Sequence, residues 1–295
     1  MQPSTSGLVL ASDAAIDLQM HTTYSDGSWT PEQLIDYLAS EQFGLVAITD
    51  HDNLSGIAYL QQLGAEKQLP VLAAVEMSTE WNGRPTDLLC YGVNPEDKRL
   101  LELTTSVQRR QEENTRQVYD YLQRKGYAFP RQQEVLKEIG GEPRQANDLF
   151  DLFAAHGYDA DMETLDKDLQ EAGLDFKTND IAEVVDAIHK SGAICIIAHP
   201  GRALDGLHRY DVALLDQLRQ EVPIDGLEVY YPTHTPEQVS MFLDYAQKHH
   251  LLVSSGSDSH SSDNKPIKYR AELSRDLLER LGITISFPKS QAQQP

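Results

Sequence analysis

Short apolar runs along this chain each stop on a residue type that binds metals. Ala15-Ile16-Asp17-Leu18 runs into Met20-His21 and then Ser25-Asp26-Gly27, and Leu45-Val46-Ala47-Ile48 ends in Thr49-Asp50-His51-Asp52. Pro70 to Val75 ends on Glu76, Ile194 to Ala198 ends on His199, and Leu251 to Ser255 leads into Gly256-Ser257-Asp258-Ser259-His260. Runs of this length and apolarity read as buried strands. Between them the apolar positions take helical spacing. Thr30-Pro31-Glu32 predicts a helix start, with a hydroxyl at the N-cap and proline at the first helical position, and Leu34, Ile35, Leu38 and Ala39 share one face of the helix it opens. A strand over 45–48, a helix over 55–67, a strand over 70–75 and a strand near 87–91 follow.

The rhythm changes after Gly92. Residues 96–125 predict a long polar helix, and 126–178 predict short helices broken at Pro130, Gly140-Gly141-Glu142-Pro143 and Gly157. Strands and helices then alternate again: helix 180–191, strand 193–198, helix 210–220, strand 225–230, helix 235–249, strand 251–254 and a last helix 271–281. The organisation this predicts is a flexible leader (1–14), a first barrel part (15–95), a helical insertion (96–178), a second barrel part (179–287) and a disordered tail (288–295). Roughly seven strands alternating with helices favour a barrel-like α/β fold over an open sheet. In such folds the carboxyl ends of neighbouring strands converge on one mouth, so five endings in His, Asp or Glu predict a polynuclear metal site there.

Composition narrows the class. The chain has 295 residues, 40% of them hydrophobic and 24% charged, with a formal net charge of −21. Such a charge repels long polyanions and excludes a broad basic surface for sequence-independent nucleic-acid binding. It suits a site that collects divalent cations and, once these are bound, a small phosphorylated substrate. No stretch approaches a membrane span, and the polar start lacks the basic and apolar regions of a signal peptide. The two cysteines, Cys90 and Cys195, lie in apolar strand-like runs and predict buried thiols in a reducing cytoplasm.

His21, Asp26, His51, Glu76, His199, Asp258 and His260 form the candidate set for chemistry. Mixed imidazole and carboxylate donors suit Zn, Mn or Fe. Two or three such ions can orient a phosphate, activate water and stabilise a leaving oxygen, as phosphoester hydrolysis requires. Asp50 and Asp52 flank His51 and are expected to orient its imidazole. His156, His189, His208, His234, His249 and His250 are read as structural or solvated. Tyr230-Tyr231 is read as packing of the rim, with stacking on a base as the alternative, and Arg109, Arg110 and Arg116 as a solvated helix face.

Taken together, M-H-T-T-Y-S-D-G, A-I-T-D-H-D, V-E-M-S, I-A-H-P-G-R and G-S-D-S-H resemble the polymerase and histidinol phosphatase (PHP) family. In particular the chain is similar to its bacterial members that hydrolyse nucleotide and oligonucleotide phosphates, over about residues 15–265. The resemblance implies a distorted (β/α)7 barrel with a trinuclear site at its mouth. It implies one metal at His21, Glu76 and Asp258, a second sharing Glu76 with His199, and a third at Asp26, His51 and His260. Arg202 matches the family's phosphate-contacting arginine, and a guanidinium suits bidentate phosphate contact. Arg202, His260 and Asp26 are thus the implied catalytic residues, and Arg202 and Arg144 the substrate contacts.

The chain departs from the family pattern in three places. The opening His-x-His has Gln19 at its first position, which makes Gln19 an optional ligand, and a later strand carries Asp87 where His is usual. Both changes make the site richer in oxygen and shift the expected metal from Zn toward Mn or Fe. The insertion keeps Arg144 of an Arg-x-His motif without its His, and the family's Gly-Lys-x-x-Tyr-Val segment is absent around 174–179. The expected function is metal-dependent hydrolysis of a nucleoside phosphate, a 3′,5′-bisphosphate nucleotide or the end of a short oligonucleotide. Histidinol phosphate is the alternative substrate, and a non-catalytic barrel binding a phosphorylated metabolite the alternative class. A polymerase-associated exonuclease domain fits less well, because no polymerase segment accompanies it.

Overall fold

The computed structural model describes residues 5, 7–202 and 209–288. In chain order the strands are β1 (Val9–Ala11), β2 (Ala15–Asp17), β3 (Leu45–Ala47), β4 (Val71–Leu72), β5 (Ala74–Met77), β6 (Thr79–Trp81), β7 (Arg84–Pro85), β8 (Leu88–Tyr91), β9 (Asn179–Asp180), β10 (Ile194–Ile197), β11 (Gly226–Tyr230), β12 (Leu252–Ser255), β13 (Tyr269–Arg270) and β14 (Thr284–Ser286). Two sheets dominate, one ordered β13-β2-β3-β4 and the other β12-β11-β10-β8-β5. β2, β3 and β4 run parallel, as do β10, β11 and β12, whereas β8 is antiparallel to both β5 and β10.

The continuous ladder of a closed (β/α)7 barrel is not formed among the described residues. Ala73 splits the strand expected over 70–75 into β4 and β5, and the two pieces join different sheets. The sheets still meet at two places, through single parallel bridges between Met20 and Ser259 and between His51 and Glu76. Both bridges lie at the carboxyl ends of their strands, where the candidate ligands sit.

The helices pack as the apolar spacing predicts. Pro31–Ser40 starts with a capping box between Thr30 and Gln33 and buries Leu34, Ile35 and Leu38. Ile181–Ser191 buries Ile181, Val184, Val185 and Ile188 against β10 and β11. The sheet cores are aliphatic. Ile16, Leu45, Leu89 and Ile196 share one cluster, and Val75, Leu88, Cys195 and Leu227 another.

The helical insertion has a core of its own. Val118, Leu122, Phe129, Leu149, Phe153 and Leu165 pack together, apart from the sheet clusters. The long helix Lys98–Lys125 belongs to both bodies: Leu100 and Leu103 lie in the sheet core, Val118 and Leu122 in that of the insertion. Part of the segment read as a leader is ordered, because β1 pairs in parallel with β14 through Val9–Thr284, Leu10–Ile285 and Ala11–Ser286. The tail expected at 288–295 lies outside the described residues except for Pro288. No described helix is long and apolar enough to cross a membrane.

Candidate metal centre

Each candidate side chain is delivered by a strand end. His21 and Asp26 follow β2, His51 follows β3, Glu76 lies in β5, His199 follows β10, and Asp258 and His260 follow β12. Asp87 reaches the same rim by a different route. It precedes β8, and because β8 runs antiparallel its start lies beside its neighbours' ends.

The structure brings all eight residues together. Ligand atoms of His21, Asp26, His51 and His260 lie within 4.8 Å of one another, as do those of His21, Glu76 and Asp258, and those of His51, Glu76 and Asp87. His21 Nε2 lies 3.1 Å from Glu76 Oε2 and 3.2 Å from Asp258 Oδ1. His199 Nε2 is 3.2 Å from Glu76 Oε1 and 4.0 Å from Asp87. His260 Nε2 is 3.3 Å from Asp26 Oδ2. The His21 ring stacks between those of His51 and His260, at 4.8 and 4.2 Å.

The donor set fits divalent cations. Both ring nitrogens of fully buried His21 lack a well-aligned hydrogen bond, despite the nearby carboxylate oxygens. A buried imidazole set among carboxylates without an aligned hydrogen bond leaves a lone pair free for a shared ion. His260 is oriented for the same purpose. Its Nδ1 lies 2.8 Å from the Asp258 backbone oxygen, a contact that assigns the proton to Nδ1 and leaves Nε2 with a lone pair. His199 and Asp258 also adopt left-handed φ angles of 30° and 53°. Such backbone costs about 1–3 kcal/mol for a non-glycine residue and concentrates at functional sites.

Charge is balanced only partly by the protein. Burial pulls the His51 imidazole down, but the Glu76 and Asp26 carboxylates outweigh it and lift its pKa to about 9. Burial likewise pushes Glu76 up, and His51, His199 and His21 overturn this and hold it well below the usual range. Asp87 keeps an elevated pKa of about 6, from burial and from the neighbouring Glu76. A carboxyl raised by another carboxylate marks surplus negative charge, which a bound cation removes.

Gln19 is fully buried and directs its amide nitrogen 2.9 Å from Glu76 Oε2, leaving its Oε1 without a partner. The amide can turn over to present that oxygen, as either orientation fits a side-chain amide. Asp50 does not orient His51, contrary to expectation. Its carboxylate accepts from the Thr22 backbone N–H, the Thr22 hydroxyl and the Ser25 hydroxyl at 2.7, 2.8 and 2.7 Å, and so shapes the loop that carries His21 and Asp26. Asp52 accepts from the Ser78 backbone N–H at 3.2 Å, and the Ser78 hydroxyl lies 3.4 Å from His51 Nδ1.

A cavity of about 740 Å³ opens over the centre, lined by Asp26, His51, Asp87, His199, Asp258 and His260 below and by Arg144, Asn147, Phe150 and Phe176 of the insertion above. Arg202 lines it too, with its guanidinium 3.1 Å from Asp258 Oδ2. Arg144 donates to the backbone oxygens of Thr23 and Ser25, which holds the insertion against the His21–Asp26 loop.

Four residues that the sequence did not place at the site help to hold it. Asn147 donates to Asp26 Oδ2 at 3.1 Å. Tyr231, read as rim packing, donates its hydroxyl to Asp258 Oδ2 at 3.1 Å. Glu228 is fully buried, its pKa pushed well up by burial, and accepts the His199 backbone N–H at 2.9 Å. His234 bridges Val229 and the Gly201 peptide next to Arg202. The Glu after Gly226-Leu227 and the His after Tyr231-Pro232-Thr233 were the only local signals. The other histidines stand clear of the centre, with His189 against Asp225 and His156 against the Leu152 backbone oxygen, while His208 lies outside the described residues.

Comparison with known proteins agrees with this geometry. A 3′,5′-nucleoside bisphosphate phosphatase from Chromobacterium violaceum is 29% identical over 84% of this chain and 88% of its own length. A phosphoribosyl 1,2-cyclic phosphate 1,2-diphosphodiesterase from Eggerthella lenta is 28% identical over 83% and 93%, and a 5′–3′ exoribonuclease from Haemophilus influenzae 26% over 83% and 89%. The sulfate-bound, metal-free structure of an amidohydrolase from C. violaceum superposes with a TM-score of 0.74 at 25% identity, covering 90% of this chain and 97% of that one. A structure from Bifidobacterium adolescentis, at 24% identity, shares the fold with the same score over 92% and 96%. The model of the PHP domain family matches residues 17–204, and the chain belongs to that family.

Proposed function

We propose that this PHP-family phosphoesterase hydrolyses a small phosphorylated substrate: a nucleoside phosphate, a 3′,5′-bisphosphate nucleotide or the end of a short oligonucleotide. The observation that carries the reading is the convergence of His21, Asp26, His51, Glu76, Asp87, Asp258 and His260 in three overlapping groups of ligand atoms, with His199 beside Glu76, at the floor of one cavity. We read them as holding two or three divalent ions, with Gln19 as an optional further ligand. The oxygen-rich set favours Mn or Fe over Zn. The two sheets, bridged at their carboxyl ends, are read as a distorted (β/α)7 barrel.

Ions bound there would supply Lewis-acid activation of water and of the phosphoryl group. The protein's own part is positional and electrostatic. Arg202 is placed at the cavity to pair with phosphate oxygens, with Asp258 as its partner until substrate arrives. Asp26 and His260, 3.3 Å apart, are a carboxylate–imidazole pair at the cavity floor that would help hold an ion and the nucleophilic water beside the phosphoryl group. Arg144 fixes the insertion as a roof that limits water. The net charge of −21 favours a short substrate over a long strand or duplex.

The test is phosphate release by protein reconstituted separately with Mn, Fe(II) and Zn. The panel holds nucleoside monophosphates, 3′,5′-bisphosphates, short 5′-phosphorylated oligonucleotides and histidinol phosphate, with His51→Ala as control. Turnover that vanishes in the variant supports the reading. No release from any substrate, with metals bound, contradicts it.

A further inference from the structure

Two phenylalanines sit in the cavity roof with their rings uncovered. Phe150 is 36% exposed and Phe176 54%, and both line the space above the candidate metal centre. Single exposed apolar side chains are ordinary on a protein surface. Two in one polar, cation-binding cavity are a different matter, because nothing in the phosphoester chemistry needs them.

The structure holds both in place. Phe150 projects from the helix Ala146–His156, and its ring meets Phe153 of the insertion core edge to face at 6.1 Å. Phe176 lies in an irregular segment clamped on either side. The backbone N–H groups of Asp175 and Lys177 donate to Asn114 Oδ1 and Gln111 Oε1, at 3.0 and 2.9 Å. Arg110, read from the sequence as solvated, fastens the next turn by donating to the Thr178 backbone oxygen and Asn179 Oδ1, both at 2.9 Å. One helix thus presents three side chains to fix the backbone around an exposed ring, which lowers the entropy lost when a ligand covers it.

We propose that Phe150 and Phe176 form an apolar platform that takes the nucleobase while the phosphate lies on the metal centre, so that the site selects nucleotides over phosphates lacking a planar base. This rests on the phosphoesterase reading above. An aromatic face accepts any base, so the platform confers class selectivity without base preference. The cavity of about 740 Å³ falls in the usual range for a small-molecule site and accommodates a mononucleotide or one terminal nucleotide. The two phenylalanines are specificity determinants and touch no reacting atom.

The test compares adenosine 3′,5′-bisphosphate with the same bisphosphate carrying a methyl group in place of adenine, using wild type, Phe150→Ala, Phe176→Ala and Phe176→Leu. Wild type should favour the nucleotide about tenfold or more in kcat/KM, from the usual strength of base–aromatic stacking. The alanine variants should raise KM for the nucleotide with kcat kept, and leave the methyl compound unchanged. Equal wild-type efficiency on both compounds overturns the proposal, as does an equal loss on both in the variants, which marks the rings as structural. Calorimetric binding of adenosine monophosphate to the Mn-loaded protein separates the two readings. Binding weakened in Phe176→Ala without any turnover keeps the platform and sinks the reaction; binding unaffected by the substitution sinks the platform.

Discussion

His234 shows how far the site depends on groups that touch no substrate. It lies 9% exposed between two backbone groups, with Nδ1 2.9 Å from the Val229 oxygen and Nε2 accepting the Gly201 N–H at 3.0 Å. Gln238 grips the next peptide of the same turn, donating to the Gly201 oxygen at 2.9 Å. The fit is close: a Cβ at Gly201 would stand 2.7 Å from His234 Cδ2, so only glycine serves there. His199 and Arg202 flank this turn, and the Arg202 N–H closes it on the His199 oxygen at 2.9 Å. His234→Phe keeps the ring's bulk and strands both backbone partners. At about 1–3 kcal/mol for each unsatisfied buried group, the loss should be about 2–6 kcal/mol, read by urea unfolding of the metal-free protein at pH 8. Burial lowers the pKa of His234, so its contribution is present above the unfolded value of 6.5 and fades as pH falls through the folded value. The variant should lack that acid limb and lose about tenfold or more in kcat/KM through a displaced Arg202. A loss below about 1 kcal/mol with unchanged kinetics would refute the clamp.

Other perturbations separate the remaining roles. Burial favours the neutral form of the Glu228 carboxyl, so Glu228→Gln should leave stability within about 1 kcal/mol and activity near wild type; a large loss in thermal unfolding would mean its carboxyl is ionised. Asn147→Ala removes one hydrogen bond to Asp26 and should lower kcat/KM by about threefold to tenfold at unchanged metal content, measured by elemental analysis. Arg202→Lys should weaken kcat/KM while keeping bound metal, and metal loss would make Arg202 structural. Chelation should lower Tm in wild type, with about 2.7 kcal/mol of stability recovered at metal a hundredfold above Kd, but not in His21→Ala. An equal shift in both proteins would place the metal elsewhere.

The site was more legible than the scaffold. Ligand types at strand ends are a local signal, since one apolar run and its last residue suffice to find His21, His51 or His199. Asp87 sits at a strand start, and only the antiparallel course of β8 brings it to the rim. Glu228, Tyr231 and Asn147 act through partners 29, 27 and 121 positions away, a range that no window of sequence spans. The break at Ala73 turns on which strand edge each half meets, again a tertiary choice. One miss was avoidable. Asn82-Gly83 joins β6 to β7 with φ angles of 51° and 71°, and Asn-Gly between strand-forming residues is a strong hairpin signal.

Phosphate release from adenosine 3′,5′-bisphosphate by Mn-loaded wild type and Asp258→Asn, with metal content measured on the same samples, tests the central claim most directly. The substitution keeps the side chain's shape beside His21 and removes the charge that faces both His21 and Arg202. A metal centre held by Asp258 predicts active wild type and a variant that has lost both turnover and part of its metal. Wild-type turnover in Asp258→Asn would contradict it.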